Sequence, residues 1–156
     1  MKKPILLFAA LCCILSLLTT QKALADNYTR KIWYDGVLYG YNQTQKRGEV
    51  VYEQLGGIFN YKDLSGDVTI ASDVQGIGEI TAIAKSAFSY KKSGNMISVT
   101  LLGTIQKIEQ AAFYDTPKLY SIHLNEGLKE MGVAVFYRCT ALTEVYIPST
   151  YLERNS

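Results

Sequence analysis

The sequence predicts a repeat solenoid, in which short parallel β-strands and irregular or short-helical turns stack coil upon coil behind an N-terminal β cap. The main observation is a fixed period. Segment 131–147 repeats the residue types of segment 108–124, and the matching positions lie 23 residues apart. A unit of this length carries more apolar surface than it can bury alone, and stacking of successive units would bury that surface in one continuous core.

A short alternating segment opens each unit. In Val99–Leu101, Ile122–Leu124 and Val145–Ile147, an apolar residue stands on each side of one outward position. Alternation with a period of two is typical of a strand with one buried face. Stacked units should therefore align these strands in a parallel sheet, while the turns supply a second apolar ridge. The core phenylalanines expected on that ridge are Phe88, Phe113 and Phe136.

The repeats are predicted to occupy residues 68–156, as about three coils of which the last is incomplete. The unit 68–98 is longer than the others, and its additional residues fall in polar or glycine-containing stretches, where loops tolerate insertions. The final unit starts at Val145 and stops at Ser156 before its turn is complete. We therefore expect Val145 and Ile147 to face water on one side.

Residues 26–67 lack the repeat and are predicted to form a small β cap over the first coil. Arg30–Asn42 is aromatic and alternating, and Asp35 and Gly36 within it are suited to a tight turn. Glu49–Leu55 is a further strand candidate. The end of a repeat stack needs such a cover because its apolar face has no neighbouring coil.

Residues 1–25 have the three parts of a secretory signal peptide. Lys2 and Lys3 precede the apolar segment Ile5–Leu18, and the Ala-x-Ala cleavage signal is formed by Ala23 and Ala25. We therefore expect an exported protein, either secreted or at the cell surface (in the periplasm or on the outer surface of a Gram-negative cell).

The signal segment leaves two alternatives to cleavage. Its apolar part, Ile5–Leu18, has 14 residues, fewer than the roughly 20 that span a bilayer, so an uncleaved membrane anchor is disfavoured. A lipoprotein would use Cys12 or Cys13, but both lie in the middle of the apolar part. The favoured interpretation is cleavage after Ala25, with no membrane insertion of the mature chain.

The net charge of the mature chain limits the classes of partner that it is expected to bind. Removal of residues 1–25 takes away three of the 16 basic residues and none of the 14 acidic ones, so the mature chain has 13 basic residues and a net charge of about −1. No polybasic patch remains to attract phosphate groups. Nucleic acids and anionic membranes are therefore not expected as partners.

The reactive side chains are too few for the common catalytic and metal-binding arrangements. His123 is the only histidine, and Cys139 is the only cysteine after residue 25. The two could pair as a nucleophile and its base, but His123 occupies an outward strand position. We expect no catalytic residue, metal ion or cofactor, and the chain is predicted not to be an enzyme.

The pattern of residue types in the repeats resembles that of a known family. The stretches "SAFSY" (86–90), "IEQAAFYDTPKLYSIHL" (108–124) and "VAVFYRCTALTEVYIPST" (133–150) are similar to the BspA-type leucine-rich repeats, in which Ala-Phe precedes Leu-x-x-Ile-x-Ile-Pro. The segment "WYDGVLYGYN" (33–42) also resembles the part that precedes the first repeat in these proteins. This resemblance implies a leucine-rich-repeat fold and a secreted or surface-exposed bacterial protein that acts by binding, often in host-associated species.

The outward strand positions are the candidate binding surface. Tyr120, His123 and Tyr146 should cluster on the sheet face, because the 23-residue period aligns the units. Ile97 and Glu144 belong to neighbouring columns of the same face. Tyrosine is common in interfaces, although a solvated ladder of packed cross-strand neighbours would use the same residues.

These observations favour an adhesin-like binding module that contacts a protein or glycan on a host or neighbouring cell. The alternative is a structural subunit, or a truncated repeat protein, that associates end to end through its uncapped C-terminal coil.

Overall fold

The computed structural model describes residues 28–51, 54–55, 58–59, 64–89 and 95–155. The predicted signal peptide, with Ala23 and Ala25, lies outside the described residues. Within the described ranges, no helix is long and apolar enough to cross a membrane.

The same ranges contain thirteen short strands and one helix. In chain order they are β1 (Tyr28–Tyr34), β2 (Val37–Asn42), β3 (Arg47–Val50), β4 (Gln54–Leu55), β5 (Ile58–Phe59), β6 (Ser65–Ile70), β7 (Asp73–Val74), β8 (Gly78–Ile83), β9 (Asn95–Leu101), β10 (Lys107–Ile108), β11 (Ser121–His123), β12 (Glu130–Met131), β13 (Glu144–Tyr146) and helix α1 (Ser149–Asn155).

The predicted parallel strands form one sheet, which we name the front sheet. Its order is β13-β11-β9-β6, and every neighbouring pair is parallel. Ile122 lies opposite both Val99 and Val145, so the 23-residue period is also the register of the sheet. The outward positions of the four strands form one column, whose members are Thr69, Thr100, His123 and Tyr146.

A second sheet, which we name the back sheet, runs through the turn segments. Strands β8, β10 and β12 pair in parallel, and β3 joins β8 in the same sense, while β1, β2 and β3 pair antiparallel. The sequence predicted parallel strands on one side of the coils only. Strand β10 has two residues, Lys107 and Ile108, which is too short to show the alternation that identifies a strand.

The core lies between the two sheets and is built from columns of equivalent residues. Phe88, Phe113 and Phe136 stack ring on ring, with centroids 5.1 and 5.7 Å apart. Phe88 and Phe113 are fully buried, whereas Phe136, in the last coil, is only partly buried. The predicted core role of all three is confirmed, and the decrease in burial follows the order of the coils.

The turn of each coil contains a residue in the left-handed conformation at an equivalent position. Ser86, Ala111 and Ala134 all have φ of +56°, a region in which a large or branched side chain is strained. Close approach adds a second requirement, because a Cβ atom on Gly132 would lie 2.5 Å from the backbone nitrogen of Gln110. The small residues at 86, 111 and 134 meet the first requirement, and Gly132 meets the second.

A buried ionic network links the N-terminal strands to the repeats. The carboxylate of Glu49, which is 1% exposed, accepts bonds from Tyr28 Oη at 2.7 Å, Asn42 Nδ2 at 3.1 Å and Arg47 Nε at 2.6 Å. Arg47 Nη2 donates in turn to Glu109 Oε1 at 2.9 Å, on the next coil. A buried charge is tolerated only when its bonds are made, so this network requires β1–β3 and the coil that contains Glu109 to be in place together.

The chain after β13 continues the 23-residue spacing of the repeat, but it forms a helix there. Tyr151 in α1 lies 23 residues after Leu128, and Leu128 lies 23 residues after Ile105. Tyr151 packs partly buried against the core, and Thr150 Oγ1 donates to Glu126 Oε2 at 2.8 Å. The residue types of segment 151–156 gave no indication of this continuation.

The Phe113→Ala substitution tests the stacked core. Phe113 is fully buried between two other rings, so its removal should cost about 3–5 kcal/mol of unfolding free energy, as for other buried aromatic deletions. The measurement is the denaturant midpoint. Phe136→Ala is the matched control, 23 residues later in the same column, and should cost less because Phe136 is only partly buried. A Phe113→Ala midpoint close to that of the wild type would contradict the stacking.

Tyr39 makes the stability depend on pH in the alkaline range. Its side chain is fully buried, its hydroxyl oxygen accepts a bond from the Ala71 N–H at 3.0 Å, and burial raises its pKa to about 12. The folded state therefore disfavours ionisation of the Tyr39 hydroxyl relative to the unfolded chain, where tyrosine has a pKa of about 10. This contribution to stability is complete below about pH 10 and is lost as the pH rises toward about 12.

We expect Tyr39→Phe to have a flatter dependence of unfolding free energy on pH across this window than the wild-type protein. The measurement is denaturant unfolding at a series of alkaline pH values, with Tyr120→Phe as the control, because Tyr120 is half-exposed. Equal slopes for Tyr39→Phe and the wild type would contradict the assignment to Tyr39.

Candidate functional site

The predicted surface residues lie together on the outer side of the front sheet. We name this surface the front face and define it by five residues, which are Ile97, Tyr120, His123, Glu144 and Tyr146. Ile97 belongs to β9, His123 to β11, and Glu144 and Tyr146 to β13, while Tyr120 directly precedes β11. All five are exposed.

His123 and Tyr146 form a stacked pair across neighbouring strands. Their rings are 3.9 Å apart between centroids and 19° from parallel. The contact follows from the register, because His123 of β11 lies directly opposite Tyr146 of β13. Stacking fixes both rings, so they form a flat aromatic surface of the kind that loses little side-chain freedom when a ligand binds.

Tyr120 and Glu144 form the second contact of the front face. The Tyr120 hydroxyl donates to Glu144 Oε1 at 3.1 Å. The main chain holds Tyr120 in position, since its N–H donates to the Ile97 carbonyl at 2.7 Å and its carbonyl accepts from the Thr143 N–H at 3.0 Å. These two bonds align Ile97, Tyr120 and Thr143 in one column.

The front face combines apolar area with hydrogen-bonding groups. Ile97, Tyr120 and Tyr146 are 50%, 46% and 52% exposed, respectively. The Glu144 carboxylate and the His123 imidazole add polar atoms to it. Such a surface suits contact with a partner that offers both apolar and polar groups.

The face continues toward β6 with a more polar character. Ser98 Oγ donates to Asp67 Oδ1 at 2.6 Å, across the β6–β9 pair. Lys118 donates to Asn95 Oδ1. These contacts join neighbouring coils in the same way as the Tyr120–Glu144 bond, so coil-to-coil side-chain pairing is general on this side of the molecule.

A second aromatic pair lies in the turn segments and was not predicted. The Tyr114 and Tyr137 rings stack with centroids 5.5 Å apart, and Tyr137 is 60% exposed. A hydrogen bond to Tyr114, and then the charge of Asp115, hold the pKa of Arg138 above its usual value. The signal that could have found the pair is the same 23-residue step that separates Phe113 from Phe136.

The structure gives His123 and Cys139 different partners. The Cys139 thiol is half-buried, donates to the Phe113 carbonyl at 3.0 Å and lies 3.0 Å from Thr116 Oγ1, while His123 stacks on Tyr146 at the front face. Across the residues that the structure describes, no three His, Cys, Asp or Glu side chains are grouped closely enough to hold a metal ion.

Parallel strands stacked at a fixed short period, with equivalent apolar residues in columns between them, define a leucine-rich repeat protein. The chain matches the family described as a BspA type leucine-rich repeat region, with 6 copies of the repeat, over residues 58–156. The chain belongs to the BspA-type leucine-rich repeat family, as the resemblance implied.

Solved structures of similar fold come from two bacteria. A leucine-rich repeat protein of T. pallidum matches with a TM-score of 0.60 and 22% identity, over 76% of this chain and 50% of that one. A leucine-rich cell surface protein of Faecalibacterium prausnitzii matches with a TM-score of 0.57 and 18% identity, over 74% of this chain and 30% of that one. The chain thus spans half or less of the length of either protein. Among curated proteins, none matches the sequence significantly.

Proposed function

We propose that this chain is an exported, adhesin-like binding module that contacts a protein or glycan on a host or neighbouring cell through its front face. The observation that carries the proposal is the pairing of His123 with Tyr146 and of Tyr120 with Glu144. These pairs hold exposed aromatic rings in fixed positions on a rigid sheet. An aromatic surface that is already ordered loses little conformational entropy on binding, which favours affinity.

Two further features support a location outside the cell. The predicted signal peptide of residues 1–25 would direct export, and the F. prausnitzii protein of similar fold is described as a cell surface protein. Both match a role in contact with other cells or with an extracellular matrix.

We also infer that the coils form a solenoid and that β1–β3 act as its N-terminal cap. Support comes from the position of β3, which pairs with β8 at the start of the parallel part of the back sheet. The network of Glu49, Arg47 and Glu109 would hold such a cap on the repeats, because Glu109 belongs to the unit that opens at Val99. A firmly attached cap would keep the front face rigid at its β6 end.

A non-catalytic role agrees with the residues available. His123 is the only histidine in the chain, and its ring is engaged by Tyr146. Leucine-rich repeats generally act as binding modules, so we infer that the front face recognises a partner without transforming it.

The double substitution of Tyr120 and Tyr146 by Ala tests the front face. The purified protein is first screened for saturable binding to immobilised host matrix proteins and cell-surface glycans. For any partner found, the double variant should bind about 30-fold more weakly or worse, which corresponds to about 2 kcal/mol, because aromatic residues dominate binding energy where they are central to an interface.

Tyr34→Ala is the matched control for this experiment. Tyr34 is 54% exposed but lies on β1 of the back sheet, so its removal should leave the affinity unchanged. The unfolding midpoint of the double variant should stay near that of the wild type, because both residues are about half-exposed. Unchanged binding by the double variant would exclude the front face as the contact surface.

A further inference from the structure

A cleft lies where the N-terminal strands meet the turn between β7 and β8. Its volume is about 290 Å³, and its lining residues are Thr29, Arg30, Tyr41, Gly76 and Ile77. The turn is part of the additional residues that make the unit 68–98 longer than the later units. We name this feature the Arg30 cleft, and it shares no residue with the front face.

A β-bulge on β1 turns Arg30 toward the cleft. Tyr28 pairs with Asn42, and Arg30 pairs with Tyr41. Thr29 is therefore the extra residue of the bulge. Because paired residues lie on the same face of a sheet and consecutive residues alternate between faces, Tyr28 and Arg30 lie on opposite faces. Tyr28 thus joins the buried ionic network, whereas Arg30 lines the cleft.

The turn between β7 and β8 brings a carbonyl group to Arg30. The Ile77 N–H donates to the Val74 carbonyl at 2.8 Å, and Gly76 has φ of +87°, as the third residue of a type II turn requires. The turn packs directly on β1, since a Cβ atom on Gly76 would lie 3.1 Å from Ile32 Cδ1. Arg30 Nη1 donates to the Gly76 carbonyl at 2.7 Å, and this bond holds the guanidinium group at the cleft.

The polar side chains of the cleft have donors to spare. Within the part of the chain that the structure describes, the bond to Gly76 is the one hydrogen bond of the Arg30 side chain, and no carboxylate lies within ion-pairing distance of it. The hydroxyls of Thr29 and Tyr41 likewise have no hydrogen-bond partner among these residues. Arginine carries five N–H donors in one plane, so the donors on Nε and Nη2 of Arg30 remain for a ligand.

The second arginine of the N-terminal strands shows what such donors hold in this protein. Arg47 Nε donates to Glu49 Oε1 at 2.6 Å, and Arg47 Nη2 donates to Glu109 Oε1 at 2.9 Å. A single carboxylate can accept from the Nε and Nη2 of one arginine side by side, and this geometry is specific to the planar guanidinium group. The group that Arg30 lacks within the molecule is therefore a carboxylate.

We propose that the Arg30 cleft binds a sugar acid, that is, one carboxylate-bearing unit of an acidic glycan. Arg30 holds the carboxylate, and the hydroxyls of Thr29 and Tyr41 bond to the hydroxyl groups of the sugar. The half-buried Tyr41 and the buried Ile77 supply apolar area to the C–H groups of its ring. Sites for small molecules combine apolar area with a few polar groups in this way, and their volumes start at about 300 Å³, so the cleft suits one sugar unit.

A titration of the purified, ¹⁵N-labelled protein with D-glucuronate or N-acetylneuraminate, followed by amide chemical shifts, tests the proposal. Saturable shifts are expected for at least one of the two sugar acids, and they should centre on Arg30, Tyr41 and Gly76. Glucose lacks the carboxylate and acetate lacks the sugar ring, so each should bind much more weakly. Glycylglycine tests a peptide carboxyl terminus as the alternative ligand.

Arg30→Met should weaken binding of the sugar acid at least about ten-fold, because hydrogen bonds to a charged group are lost. Lys31→Met is the matched control, since it removes the same charge from the neighbouring residue, whose Nζ lies over the Tyr28 ring, 5.7 Å from its centroid. Lys31→Met should bind like the wild type. Arg30→Lys should also bind more weakly than the wild type, because an ammonium group cannot make the paired contact. Tyr41→Phe removes only a hydroxyl and should weaken binding to a smaller extent.

Four results would overturn the proposal. Neither sugar acid binds saturably, or acetate binds as tightly as the sugar acids, which would exclude recognition of the sugar. Tighter binding of glycylglycine than of either sugar acid would assign the cleft to a peptide carboxyl terminus. An Arg30→Met variant that binds like the wild type, or no more weakly than Lys31→Met, would place the contact elsewhere. The double variant of Tyr120 and Tyr146 should bind the sugar acid like the wild type, so failure here and failure of the front face are distinguishable.

Discussion

Burial of one coil by the next is the constraint on which the rest of this molecule depends. A 23-residue unit exposes apolar residues along its front strand and along its turn, and only a neighbouring unit of equal shape can cover both. Ile108, Phe113 and Ile122 are fully buried because they lie between coils. The same demand explains the left-handed turn residues, since each turn must return the chain to the same register after a fixed number of residues.

The front face is a consequence of this stacking. Once Ile122 is aligned between Val99 and Val145, the residue after each member of this row is fixed on the outer side, and His123 must meet Tyr146. Side chains that pack on one another across strands thus become a continuous surface without any further requirement on the backbone. A repeat protein can change its partner by changing these outward residues, because the columns that hold the coils together point the other way.

The sequence was sufficient for the front sheet and the phenylalanine column, but not for the back-sheet strands of the turns or for the network around Glu49, for physical reasons. The period of two in Ile122–Leu124 and the 23-residue step together predict both the strands and their register. Strand β10, with Lys107 and Ile108, is too short to carry a periodic signal, and its pairing is imposed by the neighbouring coils. The network around Glu49 was also not predictable, because it joins Tyr28 to Glu109 across the fold, and nothing in the local sequence relates these positions.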